Sequence, residues 1–278
     1  MKLLRFRHIL LDSYRWLFAR KIFAPVHQAV LRLALKGLGI NNYETPVLSG
    51  EDSFVRMLAS QYDQLVVFDV GANRGSYAKL VKRYAPHAQI YAFEPHPATF
   101  QHLARVAQCY PNFTVVPLGC GDTCTTVPLY DYATQQDGSS HASLYRYAIE
   151  QRGGTAYAID VNLTTLDQFT AEQQIARIQL LKIDTEGNEL AVLRGAQRLI
   201  NEHRIDVVQF EFDQMNIFSR TLMHDFYTLL AGYRFYRLLP FEMLPLEPYR
   251  ALLWEQFAFQ NIVAVHPRVQ LKHRSGWE

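Results

Sequence analysis

Leu65-Val66-Val67-Phe68-Asp69-Val70-Gly71-Ala72-Asn73-Arg74-Gly75 is a run of apolar residues that ends in an acid and a glycine-bounded turn. Such a run suits a parallel strand covered on both faces, because neither set of alternate side chains meets water. After the turn, Tyr77, Leu80, Val81 and Tyr84 recur at helical spacing, so the chain returns along one face of the sheet as a helix.

The same alternation extends outward. Gln89 to Glu94 reads as a second strand, stopped by Pro95, and Pro97 suits the first turn of the next helix. That helix carries Phe100, Leu103, Ala104 and Ala107 on its apolar side, and Phe113 to Leu118 make a third strand. Residues 120–163 break the rhythm: Thr125 to Tyr130 and Thr155 to Val161 predict an antiparallel insertion around a polar stretch, Gln135 to His141. Arg177 to Asp184 and Asp206 to Phe212 restore the parallel pattern, with helical spacing after each. Tyr233 to Leu238 and Phe257 to Val265 are the closing strands. The expected fold is α/β: a Rossmann-like, mostly parallel, seven-stranded sheet with helices on both faces, a small antiparallel insertion and a helical N-terminal extension. The expected division is an extension over 1–60, a main domain over 61–267 and a short basic tail over 268–278.

Ligands of such sheets bind at the C-terminal strand ends. The first turn reads G-x-x-x-G, with Asn73 where a dinucleotide fingerprint needs its second glycine, which disfavours a nicotinamide-dependent oxidoreductase. No Lys-Ser/Thr pair follows Gly75, which excludes a phosphate-binding P-loop. The pattern suits a nucleoside ligand without phosphate, such as S-adenosylmethionine, with Asp69 and free backbone N–H groups near its amino-acid end. Glycines alone would fit any strand-to-helix turn. Two further acids tip the balance. Glu94 closes the second strand, where a carboxylate accepts from both ribose hydroxyls. Asp122 follows the third strand, within reach of an adenine amino group, although a turn aspartate explains it about as well. The expected cofactor residues are Asp69, Gly71, Asn73, Gly75, Glu94 and Asp122.

Phe68 to Gly75, Phe93-Glu94-Pro95 and Leu181 to Glu189, with Thr165-Leu166-Asp167 and Leu193-Arg194-Gly195-Ala196, together resemble the FkbM family of S-adenosylmethionine-dependent methyltransferases. The resemblance covers about Leu65 to Phe212. It implies a class I methyltransferase fold and methyl transfer to a hydroxyl oxygen of a sugar, glycan or natural product.

Asp184 and Glu186 follow the fourth strand, and Glu211 and Asp213 end the fifth. A hydroxyl is a poor nucleophile, so a general base helps, and Asp184 or Glu186 is the expected one. For Asp184, binding the cofactor's ammonium is an equal alternative. Clustered carboxylates could also hold Mg²⁺ through oxygen ligands, though no pattern singles out a metal site. Glu189 suits the start of a helix. His96 and His141 are secondary base candidates, since loop histidines are more often simply solvated.

Composition bounds the partners. The chain has 278 residues, 49% hydrophobic and 19% charged, ordinary for a globular protein. Its three cysteines, Cys109, Cys120 and Cys124, form no metal or disulfide pattern. Residues 1–40 hold eight Lys/Arg against Asp12 alone, so the remainder is net acidic in a chain of charge +2. An acidic core disfavours nucleic acid as partner and hence a nucleic-acid methyltransferase. A third rival, a non-catalytic interaction module, is weakened by the intact acidic set. No transmembrane or signal segment is evident, and a cytoplasmic protein is expected. Residues 2–36 mix cations with apolar and aromatic side chains. They are read either as a cap packed on the enzyme or a second subunit, or as a peripheral contact with the inner membrane face. Pro25 and the wide spread of apolar positions favour the cap.

Overall fold

The computed structural model describes residues 11–134, 138, 139 and 141–271. Residues 1–10, most of the polar stretch 135–140 and the last seven residues of the basic tail lie outside them.

The N-terminal extension is helical over residues 11–18, turns through Lys21–Phe23 and continues as α1 (Ala24–Gly37). Pro25 sits in the first turn of α1, so it starts a helix there rather than interrupting one. The alternating part follows as α2 (Glu51–Ala59), β1 (Val66–Val70), α3 (Ser76–Tyr84), β2 (Gln89–Phe93), α4 (Pro97–Ala107) and β3 (Phe113–Val116). The insertion comprises β4 (Gly119–Cys120), β5 (Thr125–Tyr132), α5 (Arg146–Gln151) and β6 (Ala156–Thr164). The chain then runs through α6 (Leu166–Glu172), β7 (Ile178–Ile183), α7 (Glu189–Arg194), α8 (Gln197–Asn201), β8 (Ile205–Phe212), α9 (Met215–Phe218) and α10 (Met223–Leu229). It closes with β9 (Arg234–Leu238), β10 (Met243–Pro245), α11 (Ala251–Trp254) and β11 (Gln260–Val265).

Among the described residues the main sheet has eight strands in the order β10-β9-β11-β8-β7-β1-β2-β3. This corrects the expected seven. The extra strand, β10, is a three-residue edge strand, too short to show a period, and its Pro245 suits an edge. β3, β2, β1, β7 and β8 are parallel, while β11 and β9 run antiparallel. In the insertion, β5 pairs antiparallel and β4 parallel with β6. Strand order reverses between β1 and β7, which opens a crevice at their C-terminal ends.

Alternation along the strands assigns the two faces. Phe68 and Val70 of β1, Leu181 and Ile183 of β7, and Val208, Phe210 and Phe212 of β8 pack into one core, with residues of α6, α7 and α10. Val67, Leu180 and Val207 pack into the other, with residues of α2, α3 and α4. On this second face the register sets Asp69 beside Lys182 and Lys182 beside Gln209, all buried. A buried ammonium needs charge partners. Lys182 has Asp184 at 3.2 Å and Glu51 of α2 at 3.9 Å, and it lies 5.5 Å from the Tyr77 ring centre. Gln209 completes the network, accepting from Tyr77 and donating to Glu51 and Asn261.

Candidate active site

Gly71 and its neighbours bind the sheet together. The N–H groups of Gly71 and Ala72 donate to the Phe93 carbonyl, and Asp184 N donates to Val70 O. Asn73 N donates to the Glu94 carboxylate at 2.9 Å, and Gly75 N to Ala72 O. These N–H groups, expected to be free for ligand, are therefore taken up within the loop. Gly75 is needed for its left-handed conformation (φ 78°) as the cap of α3. A Cβ there would press on Leu103 at 2.8 Å, so it serves helix packing and not the cavity wall.

A cavity of about 290 Å³ lies at the crevice, near the lower end of the usual small-molecule range. Gly71, Asn73, Glu94, Asp184 and Glu186 line it, as the sequence places them. Its opposite wall is apolar: Pro95, Cys120, Leu129, Ala142, Leu144 and Leu163. Most of that wall comes from the insertion and gives no sequence signal, since these are ordinary core residue types. Asn73, left-handed at φ 47°, donates from Nδ2 to Ser139 O at 3.1 Å, and Arg74 reaches Gly138 O at 3.4 Å. The insertion is thereby held over the cavity. His96 is buried, within 3.5 Å of Asp131 and 3.3 Å of Tyr157 Oη, and its ring accepts from Thr99 N. It is a strut of the fold and does not line the cavity. Asp122 is exposed, accepts from Thr123 Oγ1 at 3.4 Å, and lies outside the cavity lining.

Glu94 is the polar anchor of the first cavity. One carboxylate oxygen accepts from Asn73 N and the other from His96 N at 2.8 Å. Each oxygen keeps a lone pair, enough for two ribose hydroxyls. Burial raises the Glu94 pKa to about 7, against the lowering pull of the two N–H donors. Asp69 lies behind the cavity, in a recess with Tyr77 and Lys182. Burial raises it also to about 7, Lys182 opposes, and one of its oxygens has no hydrogen-bond partner.

A second cavity, of about 600 Å³, adjoins the first and shares Asp184 and Glu186 with it. Glu211, Asp213, His141 and Arg152 line it, with Tyr43, Phe257 and Phe259. Tyr43 meets Phe259 edge-on at 5.9 Å. Glu186 is left-handed (φ 54°), a conformation rare outside glycine and asparagine. Its backbone is held by Ser143, which donates to Glu186 O at 2.7 Å. Its carboxylate contacts His141 Nδ1 at 3.0 Å and Arg152 at 3.6 Å. The turn behind it is tied by Glu189 in the first turn of α7, which accepts from Thr185 N, Thr185 Oγ1 and Gly187 N. Burial pushes Glu211 well above the usual carboxylate range, and Asp184, Asp213 and Glu186 reinforce this against Lys182. Among the described residues no group of three or more His, Cys, Asp or Glu side chains is arranged to hold a metal ion.

The family model of the methyltransferase FkbM domain matches residues 69–235, from the acid of β1 to the start of β9. The chain belongs to this family. The FkbM domain therefore holds both the glycine turn and the whole insertion, while the N-terminal extension lies outside it. Among relatives, methyltransferase sdnD of Sordaria araneosa is 31% identical over 46% of this chain and 59% of its own length. The hexuronic acid methyltransferase AglP of Haloferax volcanii is 26% identical over 58% of this chain and 63% of its own. The 31-O-demethyl-FK506 methyltransferase FkbM of Streptomyces tacrolimicus is 30% identical over 48% and 59%. The chain spans about three fifths of the length of these relatives. The cofactor of the family's methyltransferases, S-adenosylmethionine, fits the first cavity: a buried acid with two spare acceptor sites at one end, and an apolar slot for a flat ring along the insertion.

Proposed function

We propose that the protein transfers a methyl group from S-adenosylmethionine to a hydroxyl of a sugar, glycan or natural product. The observation that carries this reading is the shared wall: Asp184 and Glu186 border both cavities, so an acceptor in the second meets the reactive end of a cofactor in the first.

When bound, S-adenosylmethionine supplies an electrophilic methyl group. Glu94 would hold the ribose, and Pro95, Leu129, Leu144 and Leu163 the adenine. Asp184, paired with Lys182 on one side, would face the ammonium or the incoming hydroxyl. His141 is the base in this scheme, in place of a free Asp184 or Glu186, since both carboxylates already have cationic or imidazole partners. With Nδ1–H donated to Glu186, Nε2 is left to accept the hydroxyl proton. Glu186 positions the ring and stabilises the imidazolium that results. Tyr43, Phe257 and Phe259 offer apolar faces to the C–H side of a sugar ring. Two relatives are named for oxygen-rich acceptors, a hexuronic acid and 31-O-demethyl-FK506, which agrees with a hydroxyl acceptor.

The test is turnover of isotope-labelled S-adenosylmethionine against a panel of free sugars, uronic acids and glycans, with the product's methyl position read by NMR. An O-methyl product that His141→Asn abolishes supports the reading. Methylation at nitrogen or carbon, or of RNA, overturns it.

A further inference from the structure

Among the described residues nothing covers the surface of the helical extension. Every residue from 11 to 22 is exposed, and α1 buries none of its side chains. The sequence favours a cap packed on the enzyme or on a second subunit, and among the described residues none from 11 to 37 is buried. The extension is nevertheless ordered within itself. Tyr14 packs on Phe18 at 5.2 Å and meets His27 Nδ1 at 3.1 Å, and Phe18 packs on Phe23 at 5.3 Å. This small aromatic hinge folds one helix against the start of the next and turns other apolar groups outward. Trp16 is 75% and Ile22 79% exposed, and Val26, Val30 and Leu33 line one exposed side of α1 at i, i+4, i+7. So much apolar surface without a cover marks an interaction site.

Charge selects the cover. Between residues 11 and 40 the cations are Arg15, Arg20, Lys21, Arg32 and Lys36 against one acid, Asp12; Arg15 pairs with Asp12 and Lys36 with Glu44, which leaves Arg20, Lys21 and Arg32 as the surplus positive charge. A second copy would bring like charges together, whereas an anionic bilayer takes in both the cations and the apolar side chains. Arg20 lies over the Trp16 ring at 5.9 Å, which places a cation beside an aromatic group suited to the headgroup region.

The root of the extension is built into the second cavity. Ile40 is buried, Asn41 N donates to Phe259 O at 2.8 Å, Lys36 pairs with Glu44 at 2.8 Å, and Asn41 and Tyr43 line the cavity itself. We propose that residues 11–37 dock the protein on an anionic membrane surface, and that this rigid root holds the rim of the second cavity close to that surface. The geometry then favours acceptors carried on lipid over free ones, a consequence that rests on the methyl-transfer reading, whereas the docking itself does not.

Cosedimentation of the full chain with vesicles tests the docking. Phosphatidylglycerol–phosphatidylcholine vesicles should pellet the protein at low salt, at least tenfold more strongly than phosphatidylcholine alone. Trp16→Ser/Ile22→Ser/Leu33→Ser and Arg20→Gln/Lys21→Gln/Arg32→Gln should each weaken binding at least tenfold, while melting as the wild type does. The proposal is overturned if the wild type stays in the supernatant, if it pellets equally with neutral vesicles, or if the charge variant pellets like the wild type. It is also overturned if sedimentation velocity without vesicles finds a dimer that the Trp16→Ser/Ile22→Ser/Leu33→Ser variant disperses, since a second copy is then the cover. A wild type that pellets but binds no S-adenosylmethionine refutes the methyltransferase reading and leaves the docking standing.

Discussion

A Cβ on Gly71 would lie 1.8 Å from the carbonyl oxygen of Asp184. The glycine turn after β1 and the acidic turn after β7 thus touch backbone to backbone, and only a glycine permits it. Gly71→Ala forces the two turns apart and also strains a residue at φ 80°. Gly232→Ala is the control, with φ 90° and open space around it. The conformational cost alone is about 1–2 kcal/mol, so the control should lose a few degrees in Tm. Gly71→Ala should melt lower still and lose S-adenosylmethionine affinity at least tenfold, as calorimetry would measure. Equal behaviour of the two variants would show that the contact is unimportant.

Cofactor affinity should depend on pH through Glu94. In the proposed pose its carboxylate form accepts from two ribose hydroxyls, and burial raises its pKa to about 7. Binding therefore tightens as pH rises, by about tenfold from pH 6 to pH 8 for a single such group. The dependence should vanish in Glu94→Gln, and Glu94→Ala should lose roughly 1.5–3 kcal/mol of binding. For the unliganded fold the sign is opposite. A raised folded-state pKa contributes stability below about pH 4.5 that is lost as pH rises through about 7.

His141→Asn should lower turnover by roughly a hundredfold or more while leaving S-adenosylmethionine affinity unchanged, because His141 lines only the second cavity. Glu186→Gln should lower turnover less and alter its pH profile, since it acts on the base and not on the acceptor. Wild-type turnover in His141→Asn, under single-turnover conditions, would remove the histidine from the chemistry.

Lys182 tests the buried network. Burial alone would push its ammonium down, but Asp184, Glu51, Glu211 and Asp69 more than offset this and hold it above the ordinary lysine value. Removing one partner of a buried ion pair costs about 3–5 kcal/mol, so Lys182→Met should lower the urea midpoint sharply. Lys182→Met/Asp69→Asn should recover part of the loss, since the pair is adjacent in register. Strict additivity would mean the two do not interact.

The sheet was legible because β1, β7 and β8 are buried on both sides and read as nearly continuous apolar runs. Gly71, Asn73, Glu94, Asp184 and Glu186 were legible because strand ends fix where their side chains open. Other parts left no such mark. Leu129, Leu144 and Leu163 are ordinary hydrophobes whose place in the cavity wall depends on how the insertion folds back. Tyr43, Phe257 and Phe259 meet only through tertiary packing of segments some two hundred residues apart. Asp122 has the right neighbours in sequence, but the chain turns it to solvent just after Gly121 bonds to Thr164. The apolar residues of the extension hinted at a cap on the enzyme or on a second subunit, and only the folded chain reveals that those from 11 to 22 are exposed.

Asp184 lines the first cavity, the second cavity and the recess that holds Asp69 and Lys182. Filling any one of these changes the field and the hydration at a carboxylate that the others share. With cofactor and acceptor in the two cavities as proposed, their binding is energetically coupled, and coupling is reciprocal. Whatever factor the acceptor imposes on the dissociation constant of S-adenosylmethionine, the cofactor must impose on that of the acceptor. Titrations of each ligand at zero and saturating concentrations of the other should yield the same factor. In Asp184→Asn, which keeps the shape and removes the charge, that factor should move towards one.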